Sequence, residues 1–238
     1  MKNKTQKLVF IGLLISMGVV LAQFLSIALP PSQTIYKIGI GYLPLIIISI
    51  VFGPYYGLIS GLIQDSVGFI LWGMSQGVYH FGFTFNALLI GVIPWLIFHF
   101  RFFKPVVYKR FNLGFIAIIF ILSVYLIFHI DLVTSRIPYA TNFFSYVLIA
   151  SSMFSLILLG IFLYRTKAID ENHLLIFIVI VVIFVTSILL TPIWVGDLYS
   201  LSYWIQLPPR IVKFPFEIIV YSIFLIRIFD LFKKKERI

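Results

Sequence analysis

Apolar runs of roughly twenty residues recur along this 238-residue chain, separated by short polar or proline-marked breaks. Each run is long enough to cross a hydrocarbon core of about 30 Å as a helix. In lipid the backbone must satisfy its own hydrogen bonds, which selects helices. The alternating ten-residue pattern of a membrane β-barrel is absent. The pattern predicts a first span over Leu8–Leu29, stopped by Pro30-Pro31-Ser32 because proline cannot continue a helix. A short second span, Ile40–Phe52, reverses at Gly53-Pro54 into a third, Tyr55–Trp72. Gly73–Gly82 reads as a loop, Phe83–Phe100 as the fourth span and Arg101–Arg110 as a basic loop. The fifth and sixth spans are Leu113–Ile130 and Phe143–Tyr164, with a polar loop over Arg165–Asn172. The seventh is His173–Val195. A loop with Gly196, Asp197 and Pro208-Pro209 leads to the eighth, Arg210–Phe232, and a basic tail, Lys233–Arg237. The fold class predicted is an all-α integral membrane protein, a multi-span helical bundle of about eight transmembrane helices in a single domain, 1–238.

Lys2, Lys4 and Lys7 before an apolar run, with Ser26-Ile27-Ala28 near its end, also raise a secretory signal. The run is longer than the apolar core of a signal, about 7–15 residues, so it reads as a retained helix.

Hydrophobic residues make up 61% of the chain and charged residues 11%, against about a quarter charged in a soluble domain. No soluble catalytic domain fits. The net charge of +10 does not indicate nucleic acid, because the basic residues lie between apolar runs and not on one face. Of the 18 lysines and arginines, 14 fall on the side of the two termini when eight spans are threaded. That bias predicts a multi-pass protein of the cell membrane with both termini cytoplasmic. Merging the Gly53-Pro54 hairpin into one span would invert every later loop and erase the bias. With no cysteine, disulfides and thiolate chemistry are excluded.

Enzyme motifs are missing. No Gly-Lys dipeptide occurs, so there is no P-loop. The four histidines are scattered, and no Gly-x-Ser-x-Gly elbow is present. No enzyme activity, metal or cofactor is expected. The informative residues are polar groups inside the spans, which are costly in hydrocarbon and face a cavity or a partner. Asp65 lies in the third span, where a structural acceptor role is favoured because a proton relay needs several such groups. Arg210, Lys213 and Glu217 share one face of the last span. Either Glu217 neutralises Lys213 internally, or the pair faces a ligand; Arg210, near the outer end, suits an anion. Tyr36, Trp72, Tyr79, His80, Phe81 and Phe83 gather at the outer ends of the early spans. Trp194, Tyr199, Tyr203 and Trp204 do so later. An interfacial belt explains most of these rings, and stacking on a flat ligand would use the rest. In the first span Gly12 with Ser16, and Gly18 with Ala22, stand four apart, a spacing that lets helices approach.

The stretch Lys37-Ile38-Gly39-Ile40-Gly41-Tyr42-Leu43-Pro44 followed by Phe52-Gly53-Pro54-Tyr55-Tyr56-Gly57 resembles the second and third helices of S components of energy-coupling factor (ECF) transporters, in their folate-type branch. Gln64-Asp65-Ser66-Val67-Gly68, Gly82-Phe83-Thr84-Phe85-Asn86-Ala87-Leu88 and Pro209-Arg210-Ile211-Val212-Lys213-Phe214-Pro215-Phe216-Glu217 follow in family order. The resemblance implies a membrane subunit that captures a water-soluble vitamin, folate or a related compound first. It would work with a transmembrane scaffold T subunit and two ATPase subunits. It covers 8–100 and 173–232, and leaves 112–165 as an extra helical hairpin on the usual six helices. It also implies a site in which Thr84, Asn86 and Gln23 hydrogen-bond, Phe83, His80 and Trp194 stack, and Arg210 with Lys213 attracts carboxylate. Gly12, Ser16, Gly18 and Ala22 would form the docking face. Many folate-type members carry an arginine where this chain has Gln23 before Phe24-Leu25-Ser26-Ile27. The alternative reading is an ion-coupled secondary transporter of a small organic molecule, which needs coupling-ion sites near mid-bilayer.

Overall fold

A computed structural model of the chain describes residues 4–28, 37–72, 78–129, 142–167 and 171–236. The Pro30-Pro31-Ser32 stop, Tyr36, Gly73–Gly77 and Arg136 lie outside the described residues. The first apolar run forms helix α1 (Lys4–Phe24), which ends short of the predicted Leu29. Its continuation, Ser26–Ala28, is instead a strand, β1, paired antiparallel with β2 (Lys37–Gly39) in the register Ser26↔Gly39, Ile27↔Ile38, Ala28↔Lys37. From Ser26 on, the backbone pairs across a ribbon rather than up a helix. This small ribbon is the one departure from an all-α fold among the described residues.

Gly41 follows the ribbon, and a Cβ there would stand 2.5 Å from the Ala22 Cβ, so the chain passes α1 at backbone distance. Helix α2 (Leu43–Phe52) is buried on every side from Leu43 to Ile50, the pattern of a helix at the centre of a bundle. It ends at Gly53, whose φ of 97° reverses the chain as predicted, and Pro54 opens α3 (Pro54–Trp72).

Helix α4 (Phe81–Phe100) packs on α3 at glycines. A Cβ at Gly57 would overlap the Gly91 carbonyl oxygen, and one at Gly61 would stand 2.5 Å from that of Ala87. The small-x-x-x-small spacing that singled out the first span thus also occurs in α3 (Gly57, Gly61) and α4 (Ala87, Gly91), where it brings two backbones into contact.

Helices α5 (Pro105–Phe128) and α6 (Asn142–Arg165) form an antiparallel hairpin. Part of the predicted basic loop, from Pro105, is the first turn of α5. Leu126 of α5 and Ile149 of α6 pack with Val212 of the last helix. Helix α7 (Asn172–Ile183) is almost wholly buried. It runs into a π-helix (Phe184–Leu190) and then α8 (Thr191–Tyr199). The last helix, α9 (Tyr203–Glu236), contains Pro208, Pro209 and Pro215, so the predicted loop prolines lie inside it.

Five of these helices are long and apolar enough to cross a membrane: Lys4–Phe24, Phe81–Phe100, Pro105–Phe128, Tyr146–Arg165 and the continuous Asn172–Tyr199. The eight spans of the sequence reading are therefore not all supported by length and apolarity. Helix α2 is short, while α3 carries Gln64 and Asp65 and α9 carries Arg210, Lys213 and Glu217. The polarity that lowers the last two helices is what equips the interior.

A buried basic cavity at one end of the bundle

The cavity begins with Pro192. It has no N–H, so the Ile188 carbonyl one helical turn back and the Ser187 carbonyl beside it lose their ordinary donor. The chain widens here into the π-helix, and side chains supply the missing donors. Arg210 Nη1 donates to Ser187 O at 3.2 Å, and Tyr203 Oη donates to Ile188 O at 3.2 Å. Thr186 O accepts from Thr191 Oγ1 at 2.5 Å and from Asn86 Nδ2 at 3.4 Å. Gln206, fully buried, donates from Nε2 to Pro192 O at 2.9 Å, while its Oε1 accepts from Arg210 Nη2 at 3.5 Å. π-Helical turns are frequent at functional sites, and this one leaves backbone carbonyls open to side-chain donors.

Around this turn lies a cavity of about 260 Å³. Ala22 and Ser26 form one wall with Gly39, Gly41 and Tyr42 of the ribbon's return. Phe83, Asn86 and Ile90 of α4 form the second, the π-helix the third, and α9 the fourth through Arg210, Lys213, Glu217 and Tyr221. Arg210 is only 2% exposed. Lys213 Nζ donates to Glu217 Oε1 at 2.8 Å, while Glu217 Oε2 is buried with no hydrogen-bond partner among the described residues. Among the described lining residues, Arg210 and Lys213 are the cations and Glu217 the carboxylate. The Tyr42 backbone N–H donates to the Tyr221 hydroxyl at 3.3 Å, which ties the start of α2 to α9.

Four of the predicted ligand-binding residues line this cavity: Phe83, Asn86, Arg210 and Lys213. His80 and Trp194 stand together beside it, ring centroids 5.7 Å apart. His80 caps α4, its Nδ1 accepting from Gly82 N at 3.1 Å, and its Nε2 lies 3.8 Å from Asp197. Trp194 Nε1 donates to Asn86 Oδ1 at 3.2 Å, and Asn86 Nδ2 donates to Thr191 Oγ1 at 3.0 Å. The tryptophan thus orients an amide that lines the cavity. Thr84, fully buried, donates to Asp65 Oδ2 at 2.5 Å and also bonds Tyr79. This group holds the approach to α4 against α3 and is not part of the cavity lining. Gln23 is half-buried at the end of α1 and is not among the lining residues; its neighbour Ala22 is.

Of the four small residues in α1, Gly12 and Ser16 face outward, with Ser16 Oγ donating to Gly12 O at 3.0 Å. Gly18 packs against Gln64, which donates from Nε2 to Gly41 O at 2.9 Å, and Ala22 meets Gly41. Glu217 and Tyr221 belong to the face signalled by Arg210 and Lys213, one and two turns further along. The signal for the π-helix was Thr191-Pro192 inside the seventh apolar run.

Gly82 leaves room for the Trp194 indole, which a Cβ at that position would overlap. Gly82→Ala is expected to displace Trp194 and break its bond to Asn86. A hydrogen bond of that kind contributes about 1 kcal/mol. A lowered thermal midpoint with altered tryptophan fluorescence is the check.

A family model described as "ECF-type riboflavin transporter, S component" matches residues 2–165, a stretch that runs through α5 and α6. A curated relative, the folate transporter FolT of Clostridium novyi (strain NT), is 30% identical over 97 residues, 41% of this chain and 53% of that protein. The chain therefore spans about half the length of the curated relative it matches. Among solved structures, FolT bound with folic acid superposes with a TM-score of 0.51 over 93% of this chain and 92% of that one, at 20% identity. At that identity the likeness is one of fold.

Proposed function

We propose, from the premise that the chain belongs to the family of ECF-type riboflavin transporter S components, that it captures a water-soluble vitamin from outside the cell, and that the vitamin is folate or a close relative. The observation that carries this reading is the buried basic cavity. An ionisable side chain buried this deeply in a membrane bundle marks a functional site. Here it sits beside an aromatic ring, Phe83, and an oriented amide, Asn86. Folate combines a flat heterocycle with a tail of carboxylates. The ring would lie along Phe83, with its N–H groups toward Glu217 Oε2, and an anionic group would approach Arg210. At about 260 Å³ the cavity suits the ring portion of such a ligand, since sites that enclose whole ligands reach about 300–1,000 Å³.

The finer topology belongs to the same reading. Eight helical crossings, with the chain reversing at Gly53-Pro54, keep both termini cytoplasmic and agree with the charge bias. The cavity lies at the end of the bundle where α1 finishes and α9 begins, away from the basic tail, which suits capture from outside. Every residue lining it falls within 22–90 or 183–221. The hairpin of 112–165 therefore takes no part in the lining, although the family model runs through it. Energy would come from partners, a scaffold T subunit and two ATPase subunits, since the chain has no P-loop. The outward Gly12 and Ser16 are the open part of the candidate docking face.

Riboflavin is the second reading, favoured by the printed description of the family model. Calorimetric titration of the purified solitary subunit with folate, riboflavin and a small vitamin panel tests both. Tight folate binding supports the proposal, and tight riboflavin binding moves the substrate. No binding by folded protein removes the capture role. Uptake that persists without ATPase partners and collapses with the proton gradient would favour the secondary transporter.

A further inference from the structure

The hairpin of α5 and α6 has a site of its own. Between the two helices lies an open cleft of about 570 Å³ with almost wholly apolar walls, including Leu113, Ile116 and Phe120 from α5 and Leu156 and Ile157 from α6. Gly160 keeps one side of it clear, since a Cβ there would meet nothing within 4 Å. The walls run from Leu113 to Ile121 on α5. At a rise of about 1.5 Å per residue that is about 12 Å, close to half of a hydrocarbon core of about 30 Å. The cleft therefore matches an acyl chain of one leaflet and is too short to seat a spanning helix along its length.

Its mouth is basic. Arg165, at the end of α6, lines the cleft and is exposed. Lys109 Nζ donates to Tyr164 O at 2.9 Å and to Thr166 O at 2.7 Å, which locks the start of α5 to the end of α6. Arg110 and Lys167 are exposed beside these locked residues. The nearest carboxylate along the described chain, Glu171, is taken by Arg101 at 2.9 Å. An apolar cleft one leaflet deep, closed at the headgroup level by exposed cations, has the chemistry that holds acidic lipids on the cytoplasmic side of membrane proteins. We propose that it binds one anionic phospholipid of the leaflet on the basic side of the protein. The site shares no lining residue with the basic cavity and does not depend on which vitamin that cavity takes.

The test is native mass spectrometry of the full chain in detergent, incubated in parallel with phosphatidylglycerol and with phosphatidylcholine. One retained phosphatidylglycerol per protein, at least about tenfold over phosphatidylcholine, is expected from an ion pair with Arg165. Gly160→Phe, which fills the cleft, and the double variant Arg110→Glu/Arg165→Glu should each lose it, with a monodisperse elution profile and an unchanged thermal midpoint as the check on folding. If Gly160→Phe does not fold, the arginine pair decides alone. Equal retention of the two lipids, or undiminished phosphatidylglycerol in folded variants, overturns the proposal.

Discussion

Arg210→Met is expected to weaken folate binding by the purified subunit about 10- to 100-fold, with the folded state retained. Methionine keeps much of the side-chain volume and removes the charge. The loss follows from one charge-assisted hydrogen bond to an anionic ligand, about 1.5–3 kcal/mol. The variant also removes the donors to Ser187 O and Gln206 Oε1, so a modest fall in thermal midpoint should accompany it. Arg210→Lys should fall between, because it keeps the charge and loses the planar fork. Lys213 is a poorer probe. Its removal strands the Glu217 carboxylate in a buried site, a loss of about 3–5 kcal/mol that would confuse binding with stability. Calorimetry and a thermal scan on the same samples separate the two effects. Wild-type affinity in Arg210→Met would remove the carboxylate role.

The largest stability effect is expected at Gly57. Gly57→Leu drives a side chain into the Gly91 backbone, and neither helix can repack around a backbone carbonyl. Overpacking a close contact costs about 1–3 kcal/mol when side chains can shift, and more when they cannot. Little monodisperse protein should be recovered by size-exclusion chromatography, and Gly57→Ala should already lower the thermal midpoint. Gly114→Ala is the control. A Cβ there meets nothing within 4 Å, and alanine is the better helix former by about 1 kcal/mol. Equal stability of Gly57→Ala and Gly114→Ala would mean that α3 and α4 do not touch at these glycines.

Much of the bundle was legible because its signals are local. Run length gave the helices, Gly53-Pro54 gave the reversal, and the spacing of Arg210, Lys213 and Glu217 put them on one wall of the cavity. What was not legible depends on distant partners. Ser26-Ile27-Ala28 continues an apolar run, and only pairing with Lys37–Gly39 makes it a strand. The prolines at 208 and 209 read as a loop, yet they lie inside α9, beyond its first four N–H groups, so each removes a bond from the helix ladder. Thr84 and Asn86 lie two apart on α4, so they point to different sides of it. Asn86 reaches the cavity, whereas Thr84 reaches Asp65.

The contact of α3 with α4 also bears on how the molecule deforms. Two helices touching backbone to backbone leave no rotamers between them to absorb a displacement, so the pair responds to load as one stiff beam. The ribbon's return is clamped to that beam by Gln64 and Gly41. Across the cavity, the hydrogen-bond ladder is interrupted at Pro192 and again at Pro208, Pro209 and Pro215. Compliance is therefore concentrated in the α8–α9 wall. For the proposed ligand, this wall would be the part that yields, and α3 and α4 the fixed frame against which it moves.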